Sequence, residues 1–252
     1  AEVYSTLRGN RERGESATSV ATIYKASVDR DKYQVKDVLT DNTILLTSTQ
    51  MSEFIDKTRN EVESGSHKYL KAVEIGIPKR YFSDNNNGLD ITVIDLPGFG
   101  GKSDAEREKV DALSRHYAQF AYPIILVEKF QHISQLDGFI VPGLGDWREM
   151  PDRYRIVISS IAGTETMQKR VKKKATVHLE DFKEVILTEI QRTIHNCPKE
   201  IAELVYPFDF GDSWQTLSKS NPEMKEKVYP ALREARNKII SELSILAEPE
   251  SR

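Results

Sequence analysis

From residue 89 onward, strand-sized apolar runs alternate with helix-sized segments, and this alternation constrains the fold more than any other feature. β-branched residues mark the runs as strands, and apolar residues at helical spacing mark the segments between them as helices. The predicted strands cover 89–95, 123–127, 154–160 and 203–208, and the predicted helices cover 104–117, 178–195 and 222–246. Strands separated by helices in this way form parallel sheets that are covered on their faces. We therefore predict an α/β fold with a mixed, mainly parallel sheet flanked by helices.

Two strand pairs are predicted in the first half of the chain. A β-branched run at 18–28 is followed closely by an alternating segment at 32–36, which predicts a hairpin. The turn-forming residues at 84–88 join a strand at 72–77 to the strand at 89–95. Because short turns link antiparallel neighbours, we expect the two strands of each pair to be adjacent in the sheet.

Residues 1–252 are predicted to form one domain. The polar, glycine-containing start at 1–16 is predicted to be a mobile loop, and 222–252 a C-terminal helical segment. A further helix is predicted before the strand at 72–77, with Ser48 or Thr49 as its N-terminal cap.

The composition indicates a folded, polar protein. Of the 252 residues, 38% are hydrophobic and 30% are charged, and the apolar runs are too short to span a bilayer. The formal net charge of -3 creates no field that would attract nucleic acid, so no nucleic-acid partner is expected. The single cysteine, Cys197, and the lack of a visible leader favour the reducing cytoplasm.

One motif carries recognisable chemistry, the run Val93-Ile94-Asp95-Leu96-Pro97-Gly98-Phe99-Gly100. Ligands of open parallel sheets bind beyond the carboxyl ends of the strands, where Asp95 is expected to lie. A carboxylate there can reach a Mg²⁺ ion that is bound by nucleotide phosphates. The Pro97-Gly98 turn lets a backbone N–H approach the terminal phosphate, because glycine has no side chain in the way.

Three segments together resemble the GTPases of the dynamin superfamily and their bacterial dynamin-like relatives. The Asp95 motif resembles the third nucleotide motif of that family, and 14–23 resembles its first switch, where a threonine precedes a strand. The segment 73–78 is similar to the family's strand just before the Asp95 strand. The three segments occur in the family's order and spacing and cover roughly residues 10–130.

The resemblance implies a P-loop GTPase-like fold and a switch that uses GTP and Mg²⁺. Thr18 would be the catalytic switch threonine that coordinates Mg²⁺, with Thr22 as the alternative. Asp95 would contact the ligands of Mg²⁺ rather than the ion itself. Pro97 and Gly98 would face the terminal phosphate. A guanine nucleotide is the implied ligand, and a protein partner or self-association is expected. Membrane association stays open.

The two motifs that normally hold the nucleotide are missing from the sequence. No G-x-x-x-x-G-K-[ST] loop occurs, because Leu96 rather than glycine stands five residues before the run Gly101-Lys102-Ser103. The guanine-reading motif is absent from its expected place at 156–163. Asp209 or Asp212 could replace it, unless their aromatic-rich segment only anchors the last helix.

Two explanations of these losses stay open. The chain begins within a switch-like loop, and its first residue is not Met. This favours the interpretation that it is a piece of a GTPase whose phosphate-binding loop lies upstream of Ala1. Alternatively, the domain has lost nucleotide binding and serves as an interaction module, a regulator or an effector. Without the loop lysine and amides, we expect the chain as given to hydrolyse GTP weakly or not at all. The basic run 169–174 is expected to be a solvated segment or a contact for phosphate or acidic partners.

Overall fold

The computed structural model confirms the α/β class. It describes residues 2–9, 21–37, 42–64, 72–82, 92–96, 104–209 and 212–247. The described strands form a mixed sheet and a parallel sheet, and helices flank both. The chain divides into two compact units, Ala1–Gln119 and Phe120–Arg252, each with its own sheet. A single GTPase-like domain over 1–252 stays a prediction.

The first unit is built on a five-stranded sheet, sheet A. Its elements are α1 (Glu2–Arg8), β1 (Ala21–Ala26), β2 (Tyr33–Asp37), β3 (Thr43–Leu46), α2 (Ser48–Glu63), β4 (Ala72–Ile77), β5 (Val93–Asp95) and α3 (Asp104–Tyr117). The strand order is β3-β2-β4-β1-β5, in which β1 and β4 are parallel and the other neighbours are antiparallel. Apolar clusters cover both faces of sheet A. Met51 of α2 packs with Tyr33 and Ile75 on one face, and Leu113 of α3 packs with Ala21 on the other.

Neither predicted strand pair of the first half forms. Strand β4 lies between β1 and β2, and β5 pairs with β1 instead of β4. The connection from β1 to β2 crosses the end of β4, where the Ser27 N–H donates to the Ile77 carbonyl at 2.8 Å. The Lys79 N–H donates to the Asp29 carbonyl at 3.2 Å, which holds the connection in place. These contacts let a short connection skip one strand, so its length alone did not determine the pairing.

Gly76 of β4 shows how closely this crossing is packed. A Cβ atom on Gly76 would lie 2.8 Å from the Cβ of Gln34 and 2.9 Å from the Cα of Ser27. Both distances are shorter than the van der Waals contact of carbon atoms, so a side chain at position 76 would push β2 and the connection apart.

Two local predictions in the first unit need correction. Helix α1 occupies part of the predicted mobile loop at 1–16, because Thr6 is buried and Leu7 packs against the core of sheet A. Residues 10–16 lie outside the described residues. The cap of α2 is Thr47 rather than Ser48 or Thr49. The Gln50 N–H donates to Thr47 Oγ1 at 3.3 Å, and the Thr47 N–H donates to Gln50 Oε1 at 3.0 Å.

The second unit is built on a parallel three-stranded sheet, sheet B. Its elements are β6 (Ile124–Lys129), β7 (Ile140–Val141), β8 (Gly145–Asp146), β9 (Tyr154–Ser159), α4 (Glu165–Lys172), α5 (Leu179–Thr193), α6 (Ile201–Leu204), β10 (Val205–Pro207), α7 (Asp212–Ser220) and α8 (Pro222–Ala247). Sheet B has the order β10-β9-β6, and β7 and β8 form a separate antiparallel pair. The predicted C-terminal helix is confirmed as far as Ala247, and 248–252 lie outside the described residues.

Helix α8 covers one face of sheet B. Ile239 of α8 packs against Val157 of β9 and Tyr206 of β10, with Phe208 and Leu243 around them. None of the described helices combines the length and the apolarity that crossing a bilayer requires.

Candidate functional site

Asp95 ends β5, which is an edge strand of sheet A among the described strands. Strand β5 runs antiparallel to β1, so that Thr22 lies opposite Asp95 and Tyr24 lies opposite Val93. Directly opposite residues project to the same face of a sheet, and alternate residues of one strand share a face. The side chains of Asp95, Thr22 and Tyr24 therefore lie on one face of sheet A.

Tyr24 is a member of this polar group that the sequence did not reveal. Burial raises the pKa of its phenol to about 12, with a further contribution from the negative charge of Asp95, although a hydrogen bond with Thr22 opposes the rise. The phenol thus keeps its proton at neutral pH. In the sequence, an aromatic residue within a run of β-branched residues predicts a core position. The connection of Tyr24 to Asp95 becomes visible only through the register of β1 with β5.

Of the four residues predicted to bind nucleotide or metal, the structure describes Asp95. Thr18, Pro97 and Gly98 lie outside the described residues, so their positions and roles stay predictions. Thr18 precedes Thr22 by four positions in the sequence, and Gly98 follows Asp95 by three. Because Thr22 pairs with Asp95, the chain enters β1 and leaves β5 at the same end of sheet A.

Asp95 and Thr22 place one carboxylate and one hydroxyl oxygen at this end of sheet A. Carboxylate and hydroxyl oxygens are the protein ligands that Mg²⁺ prefers, and the ion usually keeps only one or two of them. Within the described ranges, no three side chains of His, Cys, Asp or Glu are grouped to hold a metal ion by themselves. A Mg²⁺ ion beside Asp95 would take its remaining ligands from water and from phosphate oxygens.

Asp209 lies at the carboxyl end of sheet B, where the guanine-reading motif was expected. Its side chain is 1% exposed. Oδ1 accepts the Ser160 N–H at 2.9 Å, and Oδ2 accepts the Ala162 N–H at 2.5 Å. The positive φ of 59° at Ser160 belongs to this turn. Since each carboxylate oxygen already accepts a backbone N–H, Asp209 holds the segment after β9 in place and does not face outward to read a base.

Replacing Asp209 with alanine is expected to destabilise the second unit by about 1.5 kcal/mol, because two backbone N–H groups lose their carboxylate acceptor. Both tryptophans, Trp147 and Trp214, lie in that unit, so urea unfolding followed by tryptophan fluorescence measures the loss. Asp152→Ala is a suitable control. An unchanged midpoint for Asp209→Ala would contradict the anchoring role.

The basic run 169–174 is largely paired with carboxylates. Lys169 pairs with Glu165, whereas Arg170 and Lys174 both pair with Asp181 of α5. Burial opposes ionisation of Asp181, but the His178 N–H, Lys174 and Arg170 outweigh it and lower its pKa to about 2. The run therefore fastens α4 to α5 through these pairs.

A second polar cluster joins the end of α5 to the segment before β7. Asp137 accepts the His195 N–H at 3.0 Å, and its other oxygen lies 2.9 Å from His195 Nδ1. Arg148 donates to Asp137 at 2.9 Å and to the His195 carbonyl at 2.7 Å. The hydrogen bonds from His195 are the main cause that lowers the pKa of Asp137. Burial raises the pKa of the nearby Cys197 thiol, which keeps it protonated and unsuited to nucleophilic attack.

Comparison with protein families and with curated proteins identifies no relative. No protein-family model matches the chain, and no curated protein matches it. The resemblance to dynamin-type GTPases therefore stays a prediction from the sequence motifs.

Proposed function

We propose that the chain is a GTPase-like nucleotide-switch domain of the dynamin type, either degenerate or part of a longer GTPase. The observation that carries the proposal is the antiparallel pairing of β1 with β5. In a switch domain, the threonine segment and the Asp-x-Pro-Gly segment must both reach one phosphate-bound Mg²⁺ ion. The pairing of Thr22 with Asp95 supports the proposal, because the two segments adjoin the ends of β1 and β5 that this pairing brings together.

The proposed roles follow the chemistry of the donors. Asp95 would accept hydrogen bonds from water on Mg²⁺, and the Thr18 hydroxyl would be a direct ligand. The Gly98 N–H would face the terminal phosphate, with Pro97 fixing the turn. Bound Mg²⁺ would neutralise phosphate charge, and hydrolysis would require a phosphate-binding loop that the sequence lacks. The proposed location is the cytoplasm.

The second candidate is an inactive GTPase-fold interaction module that acts through a protein partner or self-association. Asp209 accepts two backbone N–H groups, and this favours the second candidate. Its carboxylate is then not directed at a guanine base, as a replacement for the missing guanine-reading motif would have to be. Such a domain would retain the sheets and lose the ligand.

Titration with a fluorescent GTP analogue in the presence of Mg²⁺ tests the proposal. We expect saturable binding that Asp95→Ala weakens at least about tenfold, a loss of roughly 1.4 kcal/mol. Asp31→Ala is the matched control, since Asp31 is an exposed aspartate of the same unit, and it should bind like the unchanged chain. Circular dichroism spectra establish that both variants fold.

Two outcomes would count against the nucleotide-switch proposal. Equal binding by the unchanged chain and by Asp95→Ala would show that nucleotide binds elsewhere. Absence of binding by the unchanged chain at millimolar analogue would leave the interaction module as the better candidate.

A further inference from the structure

Two aromatic rings and two cations form one face at the junction of α7 and α8. Trp214 of α7 and Tyr229 of α8 are in contact, with ring centroids 5.9 Å apart and planes inclined by 34°. Lys225 Nζ lies 5.5 Å from the Trp214 ring centroid, and the Arg233 guanidinium lies 5.8 Å from that of Tyr229. We call these four residues the basic–aromatic face.

Helical periodicity places this face on the outside of α8. Lys225, Tyr229 and Arg233 are four residues apart and so form one row along the helix. The adjoining side of the helix is buried through Met224, Val228, Leu232 and Ala235. Tyr229 nevertheless remains 42% exposed. The row is therefore held by a packed helix, with Tyr229 and Arg233 exposed and Lys225 partly exposed.

The two cations of this row contact aromatic rings. Lys227 pairs with Glu223, but within the described part of the chain neither Lys225 nor Arg233 forms an ion pair with a carboxylate. Both cations lie over aromatic rings instead, and a cation keeps its full charge when it stacks on a ring. Each can therefore still bind an anion.

The geometry points to an acidic helix of a partner protein as the occupant; we propose that the basic–aromatic face binds such a helix. Lys225 and Arg233 are eight residues apart, which corresponds to about 12 Å along a helix, with Tyr229 midway. A partner helix with two glutamates eight residues apart and a leucine between them has the same spacing. Its carboxylates would meet Lys225 and Arg233, and its leucine would pack on the Tyr229 and Trp214 rings.

Charge favours a protein helix over a membrane or a nucleic acid. Helix α8 has five basic and four acidic residues, so its net charge is +1. A basic residue near an anionic membrane contributes only about 1 kcal/mol, so a net charge of +1 gives weak attraction. Nucleic-acid affinity depends on contacts to several phosphates, and this row supplies only two cations. Two cations at fixed spacing are sufficient to match two carboxylates.

A labelled helical peptide with the pattern Glu-x-x-x-Leu-x-x-x-Glu provides the test. Titration of the full chain followed by fluorescence anisotropy should show saturable binding, and the same peptide with both glutamates replaced by lysine should not bind. The double variant Lys225→Glu/Arg233→Glu should lose at least about tenfold in affinity for the acidic peptide. The same variant should gain affinity for the lysine peptide.

A matched control reverses two exposed charges elsewhere in the second unit, Lys199→Glu/Lys238→Glu, and should bind the acidic peptide like the unchanged chain. Circular dichroism verifies that the variants fold. Absence of saturable binding below about 1 mM peptide, or equal loss in both double variants, would overturn the proposal. So would tighter binding of phosphatidylserine vesicles or of an oligothymidylate through Lys225 and Arg233, which would identify a different class of partner.

Discussion

Replacing Glu242 with alanine is expected to lower the free energy of unfolding of the second unit by about 3 kcal/mol. Glu242 Oε1 accepts a hydrogen bond from Arg155 Nε at 2.6 Å, and Oε2 accepts one from the Tyr206 hydroxyl. Arg155 is 8% exposed, so the substitution leaves a buried positive charge without its carboxylate. We place the loss at the lower end of the range for buried pairs because the Glu242 side chain is 29% exposed.

The arrangement links α8 to two strands of sheet B, so we expect a cooperative effect on the whole unit. Burial, and then the hydrogen bond to Glu242, raises the pKa of Tyr206, so its hydroxyl keeps the proton that it donates at neutral pH. Arg155 also donates to the carbonyls of Asp152 and Tyr154, at 3.0 and 2.7 Å, and these bonds hold it in place when Glu242 is removed.

Urea unfolding followed by tryptophan fluorescence measures this prediction, because both tryptophans belong to the second unit. Glu242→Gln keeps the shape and an acceptor for Tyr206, so it should show a smaller loss. Glu234→Ala, at an exposed position of α8, should change stability by less than about 0.5 kcal/mol. If Glu242→Ala and Glu234→Ala unfold at the same urea concentration, the bridge does not stabilise the unit.

Replacing Asp181 with asparagine is expected to remove about 2 kcal/mol of stability at pH 7, and much less at pH 2. The folded-state pKa of Asp181 is about 2, against an ordinary value of 3.8. A pKa that folding lowers contributes stability above the unfolded value, and the contribution is lost as the pH falls toward the folded value. The gap between the two pKa values corresponds to about 2 kcal/mol.

The pH dependence separates this ion cluster from simple packing. We expect the difference in unfolding free energy between the unchanged chain and Asp181→Asn to be constant from pH 7 to about pH 5 and to shrink between about pH 4 and pH 2. Glu180→Gln, an exposed neighbour on α5, should show no such trend. A difference for Asp181→Asn that stays constant down to pH 2 would mean that its carboxylate charge contributes nothing.

Local patterns predicted the long elements of the fold correctly. The apolar run at 154–160 became β9, whose first five residues are buried, and the periodic segment at 178–195 became α5. In both cases the pattern of apolar and polar residues lies within one continuous segment, so it can be recognised without knowledge of the fold. Where the local pattern was weaker, the predicted element was less accurate. The predicted strand at 203–208 begins as the helical turn α6 and extends only from Val205 to Pro207.

Strand pairing in sheet A could not be predicted in the same way. Both predicted pairs assumed that neighbours in sequence are neighbours in the sheet, whereas β4 separates β1 from β2 and both edges of β4 are thereby occupied. Strand β5 then pairs with the free edge of β1. The hydrogen bonds that stabilise this order join residues about 50 positions apart, such as Ser27 and Ile77, and no local pattern encodes them.

The candidate site was predicted in part for the same reason. The motif identified Asp95 from its own neighbours, and the structure places it at the end of a strand, as expected. Tyr24 joins the site through strand register, and Asp209 is engaged by Ser160 and Ala162, which lie almost 50 residues earlier. Long-range contacts thus decide which polar residues remain available for a ligand.

Strand β5 is short, and its length determines how much free energy its detachment from sheet A requires. Its ladder with β1 covers three residue pairs, and Val93 is 52% exposed, whereas β9 is paired on both sides and buried. Detaching β5 from sheet A would therefore break few hydrogen bonds and expose little apolar surface, so it costs much less free energy than unfolding the unit. Such an opening would move Asp95 while the rest of sheet A stays folded, which is the kind of movement that the proposed nucleotide switch requires.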